Sequence, residues 1–436
     1  MKFLPLAALV AAFSLPLILS DSTAATAATP TEDTVRIGLN YPETGPYSVQ
    51  GLDQIRAAQI AIDEINADGG VLGQTIELVT RDTRSNADIA TANAKELIDN
   101  EDCSMLFGGS SSAVAIATGK VCQEKSVPFF GTLTYSTATT GKEGNRFTFR
   151  ETYNAWAGAK VLADYMSANF ADKKYVYITA DYTWGHTTES SFRTFTNTED
   201  EEQHKRMLTP FPGATDDDFK RAISFAKLAK PDVLVLVLFG KDMERAVRQA
   251  TAMGLKSKMQ IVVPNLTLGM ADGGGPKVME GVVGAVPWCW NVPYEYDYAG
   301  GKAFVEAFAE QHERYPSSSG ASAYTIVHQW KEAVERAQTF AGADVVRALE
   351  GSTYTVLKDE QEWRAFDHQS IQTVYAVKCR TEAEVEADKF GLDYFEIISE
   401  LDGDEAFRTR EEWDAVRIEH GKPTYLEELP GDAASL

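Results

Sequence analysis

The sequence contains three consecutive serines, Ser110, Ser111 and Ser112, directly after two glycines that end a short apolar run. A serine on a sharp turn between a strand and a helix can act as a nucleophile. The usual elbow has the pattern G-x-S-x-G, and Ala113 stands where its second glycine would be. A histidine and an acidic partner would also be needed, and none of the six histidines lies in a supporting motif. Serine hydrolysis is therefore disfavoured.

The same serines also have the features of a ligand-binding helix start. Free N–H groups and the positive end of the helix dipole favour an anion at this point. The hydroxyls of Ser111 and Ser112 would add further donors. Capping of the helix by one serine is the alternative role, and the two roles stay open for each residue. We expect at least one of these serines to contact a ligand.

Polar and aromatic side chains follow several other predicted strands. Open parallel sheets bind ligands beyond the carboxyl ends of their strands, and small-molecule sites combine a few directed polar groups with apolar walls. Turn formation or ordinary packing is the alternative for each of these residues. The candidate ligand-binding residues are Ser111, Ser112, Thr132, Leu133, Thr134, Tyr135, Tyr182, Trp184, Phe239 and Asn265.

Motifs for cofactors and metals are weak or absent. The sequence contains no G-x-G-x-x-G, no G-x-x-x-x-G-K-[ST], no H-E-x-x-H and no C-x-x-C pair. Three consecutive acids, at 216–218, resemble a cation site, but they suit the first turn of a helix better. We expect no cofactor and no metal. Arg150 is predicted to form a hinge ion pair rather than to bind an anionic ligand.

Alternating strand and helix patterns must position the candidate residues. The run 34–40 alternates as a strand does, and Ile55, Ile62 and Ile65 then share one face of a helix. The pattern restarts after a turn-rich segment at 139–154. Two halves built from βαβ units are therefore predicted, each an α/β sandwich with a parallel sheet and right-handed crossovers.

The C-terminal third of the sequence departs from this alternation. Two long helices are predicted at 300–315 and 321–340, followed by a strand at 373–380. The tail from 381 to 436 shows no clear period. We interpret it as a surface extension that is partly ordered by its aromatic residues, which are Tyr394, Phe395 and Trp413.

Composition limits the partners and the compartment. The chain has 436 residues and a net charge of -23, with no basic cluster that would follow a nucleic-acid backbone. A lysine, an apolar run and a small-residue Ala25–Ala27 site predict a signal peptide over 1–28 and an exported protein. The apolar run is shorter than the ~20 residues that a membrane-spanning helix needs.

An even number of cysteines in an exported protein indicates disulfides. Cys103 begins a predicted strand and Cys122 lies late in the helix that returns antiparallel to it. These two thiols could therefore meet, which predicts a Cys103–Cys122 bridge. Cys289–Cys379 then follows by elimination.

Several stretches of the sequence resemble one known family. They are "VRIGLNYPETGPYSVQG", "AAQIAIDEINADGGVLGQTIELVTRDT", "FGGSSS", "VPFFG", "ADYTWG" and "AVRQATAMGL", and the most specific of them is "INADGGVLGQTIEL". They are similar to type I periplasmic solute-binding proteins of the branched-chain amino acid and amide class. The resemblance runs from about residue 34 to residue 380.

This resemblance implies two α/β lobes joined by three hinge strands, with a ligand between them. The first lobe would comprise 34–152 plus 288–365, and the second 153–287 plus 366–380. It further implies that Ser111 or Ser112, and Thr132 or Thr134, hold a ligand carboxylate. Trp184 and Phe239 match aromatic positions of the family.

One departure concerns the ligand class. Amino-acid-binding members often have an acidic residue where this sequence has Asn265, and a neutral amide cannot neutralise a buried ammonium group. An amide, or a carboxylate without an amino group, is therefore as plausible as an amino acid. It could also be aromatic.

The resemblance predicts a monomeric receptor that delivers a small solute to the permease of an ABC importer, without catalysis. Hinge closure around the ligand would be the signal that the permease recognises. A ligand-sensing receptor module is one alternative, and a serine-dependent hydrolase is a weaker one.

Overall fold

The computed structural model describes Met1, residues 33–429 and Asp432, so the predicted signal peptide over 1–28 lies almost wholly outside the described residues. The strands are β1 (Thr34–Tyr41), β2 (Thr75–Asp82), β3 (Cys103–Gly108), β4 (Phe129–Gly131), β5 (Thr148–Arg150), β6 (Tyr175–Ala180), β7 (Arg206–Thr209), β8 (Val233–Val237), β9 (Gln260–Val263), β10 (Val283–Val286), β11 (Thr353–Tyr354), β12 (Gln361–Trp363), β13 (Ser370–Ile371), β14 (Val374–Cys379) and β15 (Phe395–Leu401). The helices are α1 (Ser48–Ala67), α2 (Ala87–Asp99), α3 (Ser112–Lys125), α4 (Ala155–Phe170), α5 (Thr183–Thr196), α6 (Asp216–Ala229), α7 (Lys241–Ala252), α8 (Leu268–Gly274), α9 (Pro276–Met279), α10 (Val292–Glu295), α11 (Ala299–His312), α12 (Ser318–Ala337), α13 (Gly342–Leu349), α14 (Glu382–Ala387), α15 (Gly403–Ala406) and α16 (Arg410–Glu419).

The first lobe is built on a parallel sheet of five strands in the order β2-β1-β3-β4-β5. Helices α1 and α12 pack together, and α2 packs against α3. Side chains of β3 belong to two separate hydrophobic clusters. Phe107 shares one cluster with α1 residues such as Ile62. Leu106 shares the other with Leu97 of α2 and Val121 of α3. A sheet covered on both faces needs apolar residues in succession, which accounts for the continuous apolar run of β3.

The second lobe is built on seven strands in the order β15-β14-β10-β9-β8-β6-β7. The central strand β8, with the sequence VLVLV, is buried at every position. Strands β6 to β10 are parallel, whereas β14 is antiparallel to β10. The fold class predicted from the sequence, two α/β lobes with mainly parallel sheets, is confirmed.

The chain passes between the lobes three times. It leaves the first sheet after β5, returns after β10 to the helices α11 and α12, and passes back through β13 into β14. A bridge between Arg150 and Gln369 places the first and third of these passages side by side. The first and third crossings therefore lie together where the lobes are joined, and we call the three crossings the hinge region.

The C-terminal residues are more integrated than the surface extension that we predicted. Strand β15 pairs with β14 from Cys379 opposite Phe395 to Val374 opposite Leu401. Tyr394, Phe395 and Trp413 are all buried. The T-x-x-E capping boxes that begin α14 and α16 were the available sequence signal. Their helices have only 6 and 10 residues, too few for a clear hydrophobic period.

The cysteines differ from the prediction. Neither the Cys103–Cys122 nor the Cys289–Cys379 disulfide is present, and all four residues are buried free thiols. Cys103 and Cys122 do share one hydrophobic cluster, as the strand–helix geometry indicated. Burial raises the pKa of the Cys103, Cys289 and Cys379 thiols to about 12. The thiolate is the form that reacts, and burial disfavours it at these three positions.

Among the residues that the structure describes, none of the helices has the length and apolar character required to cross a membrane.

Candidate functional site

The three serines have three different roles in the structure. Ser111 caps α3, because its hydroxyl accepts a hydrogen bond from the Val114 amide at 3.4 Å. The Ser110 hydroxyl lies 3.1 Å from the hydroxyl of Thr83. Ser112 Oγ accepts from the Ser136 amide at 3.0 Å and thereby holds the loop that follows β4. The capping role predicted for one serine thus falls on Ser111.

No serine of the cluster is arranged as a nucleophile. The hydrogen-bond partners of the three hydroxyls are hydroxyl groups and main-chain amides, and no histidine is among them. His186 lies elsewhere, 2.9 Å from the carboxylate of Asp181. Without a general base the hydroxyls stay weak nucleophiles. The described residues also contain no group of three or more His, Cys, Asp or Glu side chains that could hold a metal ion.

The residues after β4 are buried, but their hydroxyls are used within the first lobe. Thr132 donates to Gln54 Oε1 on α1 at 2.6 Å, and the Thr134 hydroxyl lies 2.8 Å from that of Thr139. Leu133 is buried as well. Tyr135 differs, because its ring lies 5.8 Å from Phe239 of the second lobe. Its hydroxyl makes no hydrogen bond of normal geometry, although the nearby Thr152 and Ser318 hydroxyls oppose the rise that burial causes in its pKa. Of this predicted group, Tyr135 is thus the residue that reaches across.

An aromatic wall joins the lobes. Tyr182, Trp184 and Phe239 are the predicted members of this wall. The distance between ring centroids is 5.8 Å for Tyr182 and Trp184 and 6.0 Å for Trp184 and Phe239. Tyr47 and Phe211 were missed. Tyr47 lies edge-on to Phe239 at 5.1 Å, and Phe211 stacks on Tyr182 at 4.0 Å. Both follow strand ends, after β1 and β7, and that position was the signal available in the sequence.

Asn265 lies just beyond β9 and beside Tyr153. The Tyr153 hydroxyl is 3.1 Å from Asn265 Oδ1 and 3.1 Å from the carbonyl oxygen of Ala285. The Nδ2 of Asn265 is buried without a partner. Tyr153 in turn lies 5.5 Å from Tyr135, measured between ring centroids. Asn265 is therefore connected to the aromatic wall through these two tyrosines.

Direct contacts close the cleft between the lobes. The Ser136 and Thr187 hydroxyls are 3.1 Å apart, and Gln50 Nε2 donates to the Thr267 hydroxyl at 3.3 Å. Gly240 has a φ of +57°, and a Cβ at this position would lie 2.6 Å from the carbonyl oxygen of Pro46. A side chain at residue 240 would therefore force the two lobes apart.

Several polar atoms of this cleft are buried without a hydrogen-bond partner. They are Tyr135 OH, Trp184 Nε1, Asn265 Nδ2 and Gln50 Oε1. Leaving one buried donor or acceptor unpaired costs about 1–3 kcal/mol, so native proteins pair nearly all of them. Unpaired buried atoms also occur elsewhere in the described residues, for example Trp330 Nε1. These four differ in that they come from both lobes and border the same cleft, as the polar groups of a small-molecule site do.

One acidic side chain borders the wall. Asp242, in the first turn of α7, is buried, and burial raises its pKa to about 6, with Arg245 acting in the opposite direction. The negative charge of Asp242 also contributes to raising the pKa values of Tyr47 and Tyr182. None of the wall residues named above carries a positive charge.

Arg150 is placed differently from the hinge ion pair that we predicted. It is fully buried, and its guanidinium donates to Gln369 Oε1 at 2.7 Å, to the Thr140 hydroxyl at 2.7 Å and to the carbonyl of Ser136. These partners are all neutral, and burial lowers its pKa to about 9. Arg150 therefore organises the hinge through neutral acceptors rather than through a carboxylate.

Comparisons with known proteins agree with this architecture. The curated Leu/Ile/Val-binding protein homolog 7 of Brucella abortus (strain 2308) is 26% identical over 341 residues, which covers 74% of this chain and 82% of that protein. Among solved structures, the solute-binding protein of an ABC transporter from Rhodopseudomonas palustris BisB5, in complex with 3,4-dihydroxybenzoic acid, superposes with a TM-score of 0.73 at 20% identity. That alignment covers 85% of this chain and 98% of the other.

A second solved structure is the branched-chain amino acid transporter substrate-binding protein LivJ from Streptococcus pneumoniae in complex with isoleucine. It has a TM-score of 0.70 at 22% identity and covers 84% of this chain and 99% of the other. At these identities the two structures show the shared fold. A family model described as periplasmic binding protein matches residues 34–384, which is most of the sequence and both lobes. A match over more than half of the sequence shows that the chain belongs to the periplasmic binding protein family.

Proposed function

We propose that this protein is the exported solute-binding component of an ABC importer and that it holds a small carboxylate or amide between its lobes. One observation carries the proposal. Polar atoms of Tyr135, Trp184 and Asn265 are buried without partners inside a wall to which both lobes contribute. A ligand that completes these hydrogen bonds joins the lobes at the same time.

The proposed mechanism is hinge closure. A ligand that touches both lobes binds the closed arrangement better than the open one and so shifts the population toward it. The lobes would comprise 34–152 plus 288–365 and 153–287 plus 366–380. In this proposal the protein acts as a monomer, and the permease subunits of the importer recognise the closed form. No covalent bond of the solute changes.

The donors in the cleft favour a ligand with exposed oxygen atoms. Trp184 Nε1 can only donate, and the Tyr135 hydroxyl can also donate, so a carboxylate or amide oxygen suits both. The rings of Tyr182 and Phe239 offer apolar faces to a flat or branched group. Asn265 carries no charge and cannot neutralise a buried ammonium. We therefore propose a carboxylate without an amino group, with an aromatic acid as the first choice and a small amide as the second.

The two solved structures described above hold one ligand of each class, an aromatic acid and an amino acid. One holds 3,4-dihydroxybenzoic acid and the other holds isoleucine. An aromatic acid fits the neutral Asn265 better than an amino acid does, whereas the carboxylate of Asp242 at the border of the wall opposes a bound anion when it is ionised.

A thermal-shift panel tests the proposal directly. The probes are benzoate, 3,4-dihydroxybenzoate, leucine, valine and acetamide, because a compound that binds only the native state raises the melting temperature. We expect an aromatic acid to give the largest shift, and Trp184→Phe to reduce that shift by removing one donor. Trp290→Phe is the matched control, since that indole stacks on Tyr315 outside the cleft. If no carboxylate or amide stabilises the protein, the proposal fails.

A further inference from the structure

The last part of the chain, residues 395–429 together with Asp432, extends from one lobe to the other. We call it the C-terminal strap. It begins in the second lobe, where β15 is the edge strand of the seven-stranded sheet. Helix α15 then packs on α4, and Lys160 of α4 donates a hydrogen bond to the carbonyl of Glu405. The first anchor of the strap thus lies in the second lobe.

The strap also lies against the hinge region. Gly403 lies so close to the third crossing that a Cβ on it would be 2.6 Å from the amide nitrogen of Gln372. Arg364 donates to the carbonyl of Arg408 at 2.9 Å, and the Arg408 guanidinium covers the Trp156 ring at 4.3 Å. The strap is therefore in contact with the chain where the lobes are joined.

The second anchor lies in the first lobe, on the loop between β4 and β5. Trp413 Nε1 donates to the carbonyl of Thr140 at 2.8 Å. Arg417 donates to the carbonyls of Gly141 at 2.8 Å and Gly144 at 3.2 Å. Only 2% of Trp413 and 3% of Arg417 is exposed, so this end of the strap is firmly packed.

Contacts nearer the surface also bind the strap to the first lobe. The amide of Arg146 donates to Glu427 Oε2 at 2.9 Å, and its guanidinium lies 3.0 Å from Asp432 Oδ2. Arg347 of α13 reaches the other oxygen of Asp432, also at 3.0 Å. The strap therefore holds the first lobe with both buried and peripheral groups.

The loop that receives the strap also faces the cleft. Its Ser136 contacts Thr187 of the second lobe, and the Ser136 amide donates to Ser112. Arg150, from the hinge, donates to Thr140 of the same loop. A shift of this loop would therefore affect the contacts between the lobes as well as the anchor of the strap.

We propose that the C-terminal strap is a clasp that biases the lobes toward the closed arrangement. Opening changes the position of one lobe relative to the other, and the strap is bound to both. We infer that the segment between the two anchors does not bend freely, so that opening strains or detaches one anchor and the open population falls. This inference rests on the proposed function only in requiring that the lobes move, and its effect is measurable without any ligand.

The test is the distance between the lobes in the ligand-free protein. Spin labels are attached at Lys95→Cys on α2 and Lys227→Cys on α6, two exposed positions, while the four native thiols are buried. Pulsed electron resonance then gives the distance distribution for the full chain with and without Arg417→Ala. We expect the substitution to move the distribution to longer and broader distances. Ile418→Ala, at a position that is 66% exposed on the same helix, is the matched control and should change nothing.

An unchanged distribution in a folded Arg417→Ala protein would overturn the clasp. If that variant does not fold, Trp413→Phe replaces it, because it keeps an aromatic ring and removes the hydrogen bond to the Thr140 carbonyl. A smaller shift in the same direction supports the proposal, and no shift contradicts it. Failure of the ligand panel would leave this result intact, so the two proposals are tested separately.

Discussion

The hydroxyl oxygens of Tyr47 and Tyr182 lie 3.2 Å apart, and they belong to different lobes. Burial is the largest cause that raises the pKa of both phenols, so both stay protonated and neutral. The hydrogen bond between these two neutral hydroxyls can form only when the lobes are together. This pair is therefore a direct indicator of closure.

Tyr182→Phe should weaken ligand binding without unfolding the protein. The ring keeps its 4.0 Å stacking on Phe211, and the lost hydrogen bond contributes about 0.5–1.5 kcal/mol to closure. Calorimetry with the strongest ligand of the panel should show affinity lower by about threefold to tenfold. Tyr425→Phe, at an exposed tyrosine, is the control. Equal affinities for both variants would mean that the tyrosine pair does not contribute to closure.

The neighbouring serines should differ in what they stabilise. Ser112→Ala removes the acceptor of the buried Ser136 amide and should lower the free energy of unfolding by about 1–3 kcal/mol. It should also weaken ligand binding, because the Ser136 loop loses its support. Ser111→Ala removes a helix cap, which costs about 1 kcal/mol of unfolding free energy. Ser111→Ala should reduce the affinity for the ligand less than Ser112→Ala does.

Urea unfolding and calorimetry on both variants check this order. Ser257→Ala, at an exposed serine, is the reference for a harmless substitution. A Ser112→Ala protein that binds as tightly as the unmodified chain would remove the Ser136 loop from the binding mechanism.

Asn265→Asp should change the class of ligand. The substitution places a carboxylate beside Tyr153 in the cleft, so it should favour leucine and valine, whose ammonium groups it can pair, and weaken binding of benzoate. Titrations of both proteins with leucine and with benzoate measure this change in relative affinity. Asn265→Ala is the control, because it removes the side-chain amide without adding a negative charge. Tight binding of leucine by the unmodified protein would contradict the argument from Asn265.

The sequence predicted the parts of the fold and site that depend on local pattern. Ser111 caps a helix, and Tyr182, Trp184 and Phe239 come after strands, as the strand and helix patterns indicated. Their contact with a ligand stays a prediction. Tyr47 lies in a loop of the first lobe and gains its role only from Tyr182 and Phe239, which are more than 130 residues away. The position of Tyr47 after β1 was visible in the sequence, whereas its partners across the cleft were not.

Two other differences have the same origin. The strap consists of short elements stabilised by partners such as Thr140, which no period within the strap could reveal. Thr132 and Thr134 lie at the expected strand end, and their hydroxyls bond to Gln54 and Thr139 within the first lobe. Ligand contact by either residue stays a prediction. Position along a strand could be predicted from sequence, whereas the competition for each hydrogen bond depends on the packed structure.

Asp242 should make stability depend on pH. Burial raises its pKa from 3.8 to about 6, so the folded protein holds this proton more strongly than the unfolded chain does. The folded state binds more protons between about pH 4 and 6, and the free energy of unfolding therefore falls as the pH rises through this window. Above it, the ionised carboxylate costs about 1–3 kcal/mol. Asp242→Asn mimics the protonated form and should be more stable than the unmodified protein at pH 8.

The comparison is made by urea unfolding at pH 4 and pH 8. At pH 4 the Asp242→Asn and unmodified proteins should have nearly equal free energies of unfolding, since the carboxyl is then neutral in the folded state. Asp217→Asn, at an exposed acid of α6, should behave as the unmodified protein at both values. A constant difference between Asp242→Asn and the unmodified protein across the range would show that Asp242 does not ionise within it. A destabilised Asp242→Asn at pH 8 would show that the charged carboxylate is needed for its pairing with Arg245.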